Sequence, residues 1–228
     1  MQLQGKVVAV TGAFGQLGRA VTDEVLRQGG RVAMLGHSHG ATAPEGAAAW
    51  DVDLTSLAGV TRALGEAAQR FGGLHGLVNV AGGFRWQKLA DSPDLAEWTA
   101  LFNTNLLTCV TACKAALPHL QRAGAGRIVN VGAMGAVKGA AGMGAYAASK
   151  AGVMRFTEAL ADELKLQSIT VNAVLPSTID TPANRADMPQ ADASRWVPPA
   201  QIAGVVCYLL SDEAAAVTGA LVPVTGKT

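Results

Sequence analysis

The sequence predicts one α/β domain, residues 1–228, built as a doubly wound parallel sheet of seven strands between two layers of helices. Short apolar runs of strand length alternate with longer helical stretches, the pattern of strands buried on both faces. Half of the 228 residues are hydrophobic and only 15% are charged, which suffices for one large core. No linker, internal repeat or charge run divides the chain.

Lys6–Thr11 is the first strand, and the glycine-rich turn after it leads into a helix near 16–28. Arg31–Leu35 is the second strand. Residues 36–47 hold Gly36, Gly40, Pro44 and Gly46, which argues against a crossover helix, so an irregular loop reaches the third strand, Ala48–Val52. A helix near 55–71 precedes the fourth strand, Leu74–Val80, and a longer one near 94–122 precedes the fifth, Arg127–Val131. The stretch 143–166 is helical, Ile169–Val174 is the sixth strand, and a helix near 199–211 leads to the last, Ala220–Val224. Five prolines (Pro176, Pro182, Pro189, Pro198, Pro199) make 176–199 the one long irregular segment, and such a segment in a compact domain reads as a substrate lid.

Composition narrows the partners. Lys plus Arg is 18 against 17 for Asp plus Glu, a net charge of +1, so there is no basic footprint for nucleic acid or an anionic membrane surface. No apolar run is long enough for a transmembrane helix, and the first residues lack the layout of a signal peptide. Cys109, Cys113 and Cys207 have no accompanying histidine or cysteine cluster. They read as free buried thiols of a cytoplasmic protein without a metal site.

Thr11-Gly12-Ala13-Phe14-Gly15-Gln16-Leu17-Gly18 stands between a strand and a helix. Gly12 permits the tight turn, Gly15 lets backbone approach a pyrophosphate, and Gly18 lets the helix pack on the sheet. The helix N-terminus then offers free N–H groups to phosphate, which makes the fold Rossmann-type. An ordinary glycine turn is the plainer alternative. At the end of the second strand, Gly36-His37-Ser38 contains no acid to hold the adenosine ribose; this favours NADP(H) over NAD(H), with His37, Ser38 or Arg19 available to a 2′-phosphate. A merely solvated loop at His37 and His39 is the competing reading. Asp53 and Leu54 follow the third strand near the adenine, and Asn79, Ala81 and Gly82 close the fourth where open α/β sheets bind ligands.

Tyr146 and Lys150 are four residues apart on the fifth-to-sixth-strand helix and share a face. An ammonium beside a phenol lowers the phenol's pKa toward the working pH, as acid–base catalysis requires. A half-buried tyrosine beside a snorkelling lysine is the alternative.

With Thr11–Gly18, Asn79–Gly82, Asn105, Tyr146–Lys150 and Pro176–Thr181 in this order and spacing, the chain resembles the short-chain dehydrogenase/reductase family over essentially its whole length. The resemblance implies sheet order 3-2-1-4-5-6-7, an NAD(P)(H) cofactor and a small-molecule substrate. It implies Tyr146 as acid/base, Lys150 on the nicotinamide ribose, Asn105 holding a relay water, and Pro176, Ile179 and Thr181 around the nicotinamide. It also implies a homo-oligomer, a dimer or a tetramer, through the helices carrying Asn105 and Tyr146.

Two departures matter. Ala133, thirteen residues before Tyr146, stands where most members carry a serine donor, and Gln16 replaces the middle family glycine. Both departures, together with Gly83-Phe84, Gly142-Met143 and Asp180 through Pro189, are similar to the serine-lacking dihydropteridine reductase branch. Phe84, Trp86, Ala133, Met143, Arg185 and Trp196 are the expected substrate pocket, suited to something flat or partly anionic; packing of the lid by these aromatics is the equal alternative. The function expected is hydride transfer to an activated C=O or C=N, including dihydropteridine reductase-like activity. The rival is a dinucleotide-binding regulator that lost chemistry with the serine.

Overall fold

The computed structural model describes residues 2–228. The strands are β1 (Val7–Thr11), β2 (Arg31–Gly36), β3 (Ala47–Asp51), β4 (Gly76–Asn79), β5 (Gly126–Val131), β6 (Ile169–Pro176) and β7 (Leu221–Val224). All neighbouring pairs are parallel, in the order β3-β2-β1-β4-β5-β6-β7, as the resemblance implies. The direction of winding reverses between β1 and β4, which opens a crevice at their C-terminal ends.

Alternation along each strand explains the layers. Val7 and Ala9 of β1 face a core shared with α2 (Leu57–Phe71), α4 (Thr108–Arg122) and α5 (Gly144–Leu164). Val8 and Val10 face the opposite core, shared with α1 (Gln16–Arg27) and α7 (Pro199–Leu210). Both faces of the strand are therefore apolar, the reason it reads as a continuous hydrophobic run rather than an alternating one.

Three expectations of extent are corrected. The long helix is α3 (Ala96–Leu101) and α4 joined by a π-turn, Phe102–Leu107, instead of one regular helix from 94. The sheet ends at Asn79 and Asp51, so Val80 and Val52 lie beyond it, although Val52 N still donates to Gly36 O at 3.3 Å. Residues 176–199 also contain a helix, α6 (Pro182–Asp187), which starts with proline at its first position and Thr181 as its cap. Proline there loses no helical hydrogen bond, so proline content alone hid the helix. Residues 37–46 carry no helix, as their glycines predict.

Candidate active site

The dinucleotide cradle is a matter of missing Cβ atoms. Gly12 adopts φ +62°, and a Cβ there would lie 2.8 Å from the Ala81 backbone. A Cβ on Gly18 would collide with the Gly12 carbonyl, so α1 lies against the turn as the sequence predicts. Gly15 is exposed and caps α1 with no side-chain hydrogen bond, and the first turn of α1 holds no acid. The N–H groups there are free for an anion. Gln16 is exposed beside them, while Leu17 is buried and offers only its backbone. Phe14 is half-buried, and its carbonyl accepts from Arg19 Nε at 3.0 Å. Thr11 Oγ1 accepts from Ala81 N at 3.3 Å, tying the turn after β4 to the end of β1.

Gly82 is where the chemistry-bearing side chains converge. A Cβ on it would lie 2.9 Å from Asn105 Oδ1 and 3.0 Å from Lys150 Nζ. Asn105 sits in the π-turn, a feature that often re-aims a functional side chain. Its Oδ1 accepts from Gly83 N at 2.7 Å, and its Nδ2 donates to Gly83 O at 3.1 Å and to Ser149 Oγ at 2.9 Å. Both amide hydrogens are thus committed, and the side chain clamps the turn after β4 onto α5. Ser149, buried one residue before the lysine, is a partner the sequence reading missed.

Lys150 is 5% exposed, and its Nζ donates to Val131 O at 2.8 Å at the end of β5. Burial pulls its pKa down to about 8. Tyr146, one turn earlier, stacks edge-on against Phe84, ring centroids 4.9 Å apart at 82°. Burial pushes its pKa up to about 12. This corrects the expectation of a phenol lowered by its lysine: desolvation dominates, and the lysine's hydrogen-bond partner is the Val131 carbonyl.

Ala133 is extended, 4% exposed, and part of an apolar wall with Ala136, Met154, Ala173 and Leu175, against which Tyr146 packs. Met143 caps α5, with its Cε 2.9 Å from where a Gly135 Cβ would sit. Trp86 is 57% exposed and lies over Gly142, its Nε1 donating to Ala141 O at 3.1 Å. Gly142 has φ +75°, and a Cβ on it would strike the Trp86 ring.

Several expected ligand contacts are otherwise engaged. The Asn79 side chain points into the core, donating to Asn130 Oδ1 at 2.9 Å and Cys113 Sγ at 3.3 Å. Asn130 Nδ2 donates onward to Thr157 Oγ1 at 2.9 Å, a buried chain from β4 to α5. Trp196 is 7% exposed, and Arg185 forms a two-point pair with Asp180, at 2.6 and 2.9 Å, while its side chain stays 58% exposed. Thr181 Oγ1 accepts from Asn184 N at 3.2 Å as the α6 cap, and Ile179 bridges Val197. Pro176 ends β6, and the Ser177 hydroxyl donates to Thr225 O at 2.9 Å, tethering the start of segment 177–199 to the turn after β7. Asp53 Oδ1 accepts from Thr55 N and Oγ1 at 2.9 and 2.7 Å, while Leu54 is buried behind it.

The end of β2 carries no acid of its own, as read, but the neighbouring strand brings one to it. Asp51 of β3 pairs in register with Gly36, and its carboxylate lies 3.5 Å from His37 Nδ1 and bonds Ser38.

A parallel sheet with a glycine cradle at its switch point, and a half-buried tyrosine one helical turn from a buried lysine beside it, defines a dinucleotide-type oxidoreductase scaffold. Residues 6–192 match the short chain dehydrogenase family. Curated relatives include 3-oxoacyl-[acyl-carrier-protein] reductase FabG of Pseudomonas aeruginosa, 38% identical over 246 aligned positions that cover 99% of this chain and 98% of the relative. The Vibrio harveyi protein of the same name is 34% identical over 240, with the same coverage. Among solved structures, ligand-free aldohexose dehydrogenase of Thermoplasma acidophilum superposes with TM-score 0.89 at 27% identity, covering 98% of this chain and 94% of that one. NAD⁺-bound xylitol dehydrogenase gives 0.90 at 26%, covering 99% and 100%. The chain belongs to the short-chain dehydrogenase family of oxidoreductases.

Proposed function

We propose that this chain is an NAD(P)(H)-dependent reductase in which Tyr146 protonates an activated C=O or C=N while the adjoining carbon is reduced. The observation that carries the reading is the convergence of Lys150 Nζ and Asn105 Oδ1 on Gly82, across the crevice from the uncapped start of α1. Gly12, Gly15, Gln16 and Gly18 would hold the pyrophosphate, with Gly36, His37, Asp53 and Leu54 around the adenosine. Ala81, Gly82 and Lys150 would line the nicotinamide ribose, and Pro176, Ile179 and Thr181 the nicotinamide. Gly82 supports this fit, because a methyl group there would crowd Asn105 Oδ1 and Lys150 Nζ, and its absence lets both groups stand at the crevice. When bound, a reduced dinucleotide supplies the hydride.

Tyr146 supplies the proton. With its pKa at about 12, the phenol enters the reaction protonated, as reduction requires. Lys150, near 8, still carries its proton at pH 7, and its ammonium charge stabilises the phenolate left behind. Asn105 positions the Gly83 backbone and Ser149. The apolar Ala133 wall offers no second donor to the reacting oxygen.

An unassisted ketone loses about 10²–10³ in rate without such a donor. A conjugated acceptor spreads the arriving charge and loses less, so a quinonoid dihydropterin is the leading named substrate. Phe84, Trp86 and Met143 form the flat apolar approach, under a lid at 176–199. The relatives' reaction, 3-oxoacyl-[acyl-carrier-protein] reduction, is the comparison substrate. Exposed Leu95, Phe102 and Leu107 on the helix of Asn105 support a homo-oligomer, and three free buried thiols suit a reducing, cytoplasmic setting.

The test is NAD(P)H oxidation against a panel containing simple ketones, a 3-oxoacyl thioester, quinones and a quinonoid dihydropterin generated in situ. Turnover confined to the conjugated acceptors is expected. Tight dinucleotide binding with no turnover on any of them favours the second reading, a regulator silenced by the alanine at position 133.

A further inference from the structure

We infer that Asp51 receives the adenosine ribose hydroxyls and so selects NAD(H) against NADP(H). This inference rests on the dinucleotide docking proposed above, and it begins from the sheet register. In a parallel pair, in-register residues project from the same face, and Gly36 at the end of β2 is in register with Asp51 at the end of β3. Position 36 faces the glycine-rich turn: a Cβ there would lie 3.6 Å from Gly12 N and 3.9 Å from Phe14 Cδ2. A β2-terminal acid at that position would reach the ribose, and Gly36 has no side chain to do so. Asp51 supplies a carboxylate from the neighbouring strand instead.

The carboxylate is held over the end of β2 by three contacts. Its Oδ2 accepts from Ser38 N at 3.1 Å and from Ser38 Oγ at 2.8 Å, and its Oδ1 lies 3.5 Å from His37 Nδ1. These bonds hold its pKa below the usual carboxylate range, so it is ionised at neutral pH. The side chain is 60% exposed, with Oδ1 still able to accept from a hydroxyl. A pair of ribose hydroxyls therefore meets an acceptor, whereas a 2′-phosphate in the same place meets a like charge. Arg19 is the competing feature. Its guanidinium is tethered to the Phe14 carbonyl and is the group a 2′-phosphate would use.

The experiment measures dissociation constants of NADH and NADPH for the full chain and for Asp51→Asn and Asp51→Ala. A hydrogen bond to a charged group is worth about one to two orders of magnitude in affinity. The wild type should therefore bind NADH at least about tenfold more tightly, and both variants should reduce that ratio about tenfold or more. Preference for NADPH in the wild type, with Arg19 then holding the phosphate, overturns the inference. So does equal weakening of both dinucleotides in the variants, which would make Asp51 only a prop for the Ser38 loop. Failure to bind either dinucleotide overturns both the inference and the docking beneath it, and is distinct from binding without discrimination.

Discussion

Replacing Lys150 with methionine removes a buried ammonium and keeps an unbranched side chain of similar length. In the folded chain burial draws the lysine pKa from 10.5 to about 8. At pH 7 both states carry the proton, and the fold bears the whole cost of burying it, about 3 kcal/mol. Between pH 8 and 10.5 the folded chain has lost its proton and the unfolded chain has not, so stability rises with pH through that window. Most of the penalty, about 2.5 kcal/mol, is relieved by pH 10. Against this, Lys150→Met leaves the Val131 carbonyl without its donor, about 1–3 kcal/mol at either pH. Lys150→Met should therefore match or exceed the wild type in stability at pH 7 and fall below it at pH 10. Urea unfolding of both proteins at one concentration measures the difference; Cys207 and Tyr146, each raised to about 12, titrate in both proteins and cancel. An offset that stays the same at the two pH values would show that Lys150 is not held against its charge.

Three further changes test the surrounding parts. Gly82→Ala puts a methyl group 2.9 Å from Asn105 Oδ1 and 3.0 Å from Lys150 Nζ; it should lower kcat/KM about a hundredfold while far-UV circular dichroism stays unchanged. Ala133→Ser gives the apolar wall a donor and should raise simple-ketone reduction about 10²–10³-fold. The same hydroxyl, unpaired when no substrate is bound, should lower the melting midpoint by a few degrees. Thr157→Val strips Asn130 Nδ2 of its acceptor and should destabilise by about 1–3 kcal/mol in urea unfolding, with the dinucleotide dissociation constant unchanged.

The sheet was legible because apolar runs, glycines and prolines report local physics that burial on both faces does not override. Val7–Thr11 and its turn could be read in place because each glycine answers one steric demand. Tyr146 and Lys150 could be read from helical spacing, but their electrostatics could not. Spacing places two groups on one face, whereas their pKa values follow from how deeply each is buried, which spacing does not report. Asn79 looked like a ligand because it ends a strand, yet strand alternation turned it toward Asn130 and Cys113. Asp51 escaped notice for a related reason. It is fifteen positions after Gly36, and only the register of β2 with β3 makes them neighbours. The π-turn left no trace in the sequence, since one extra residue per turn does not disturb apolar spacing enough to show.

Tyr146→Phe is the direct trial of the proton-donor role, since it removes one oxygen and leaves the ring on Phe84. With the best acceptor from the panel, NAD(P)H oxidation should fall by about 10²–10⁴ while the dinucleotide still binds with its wild-type constant. Undiminished turnover in that variant would remove Tyr146 from the chemistry and the proposed reaction with it.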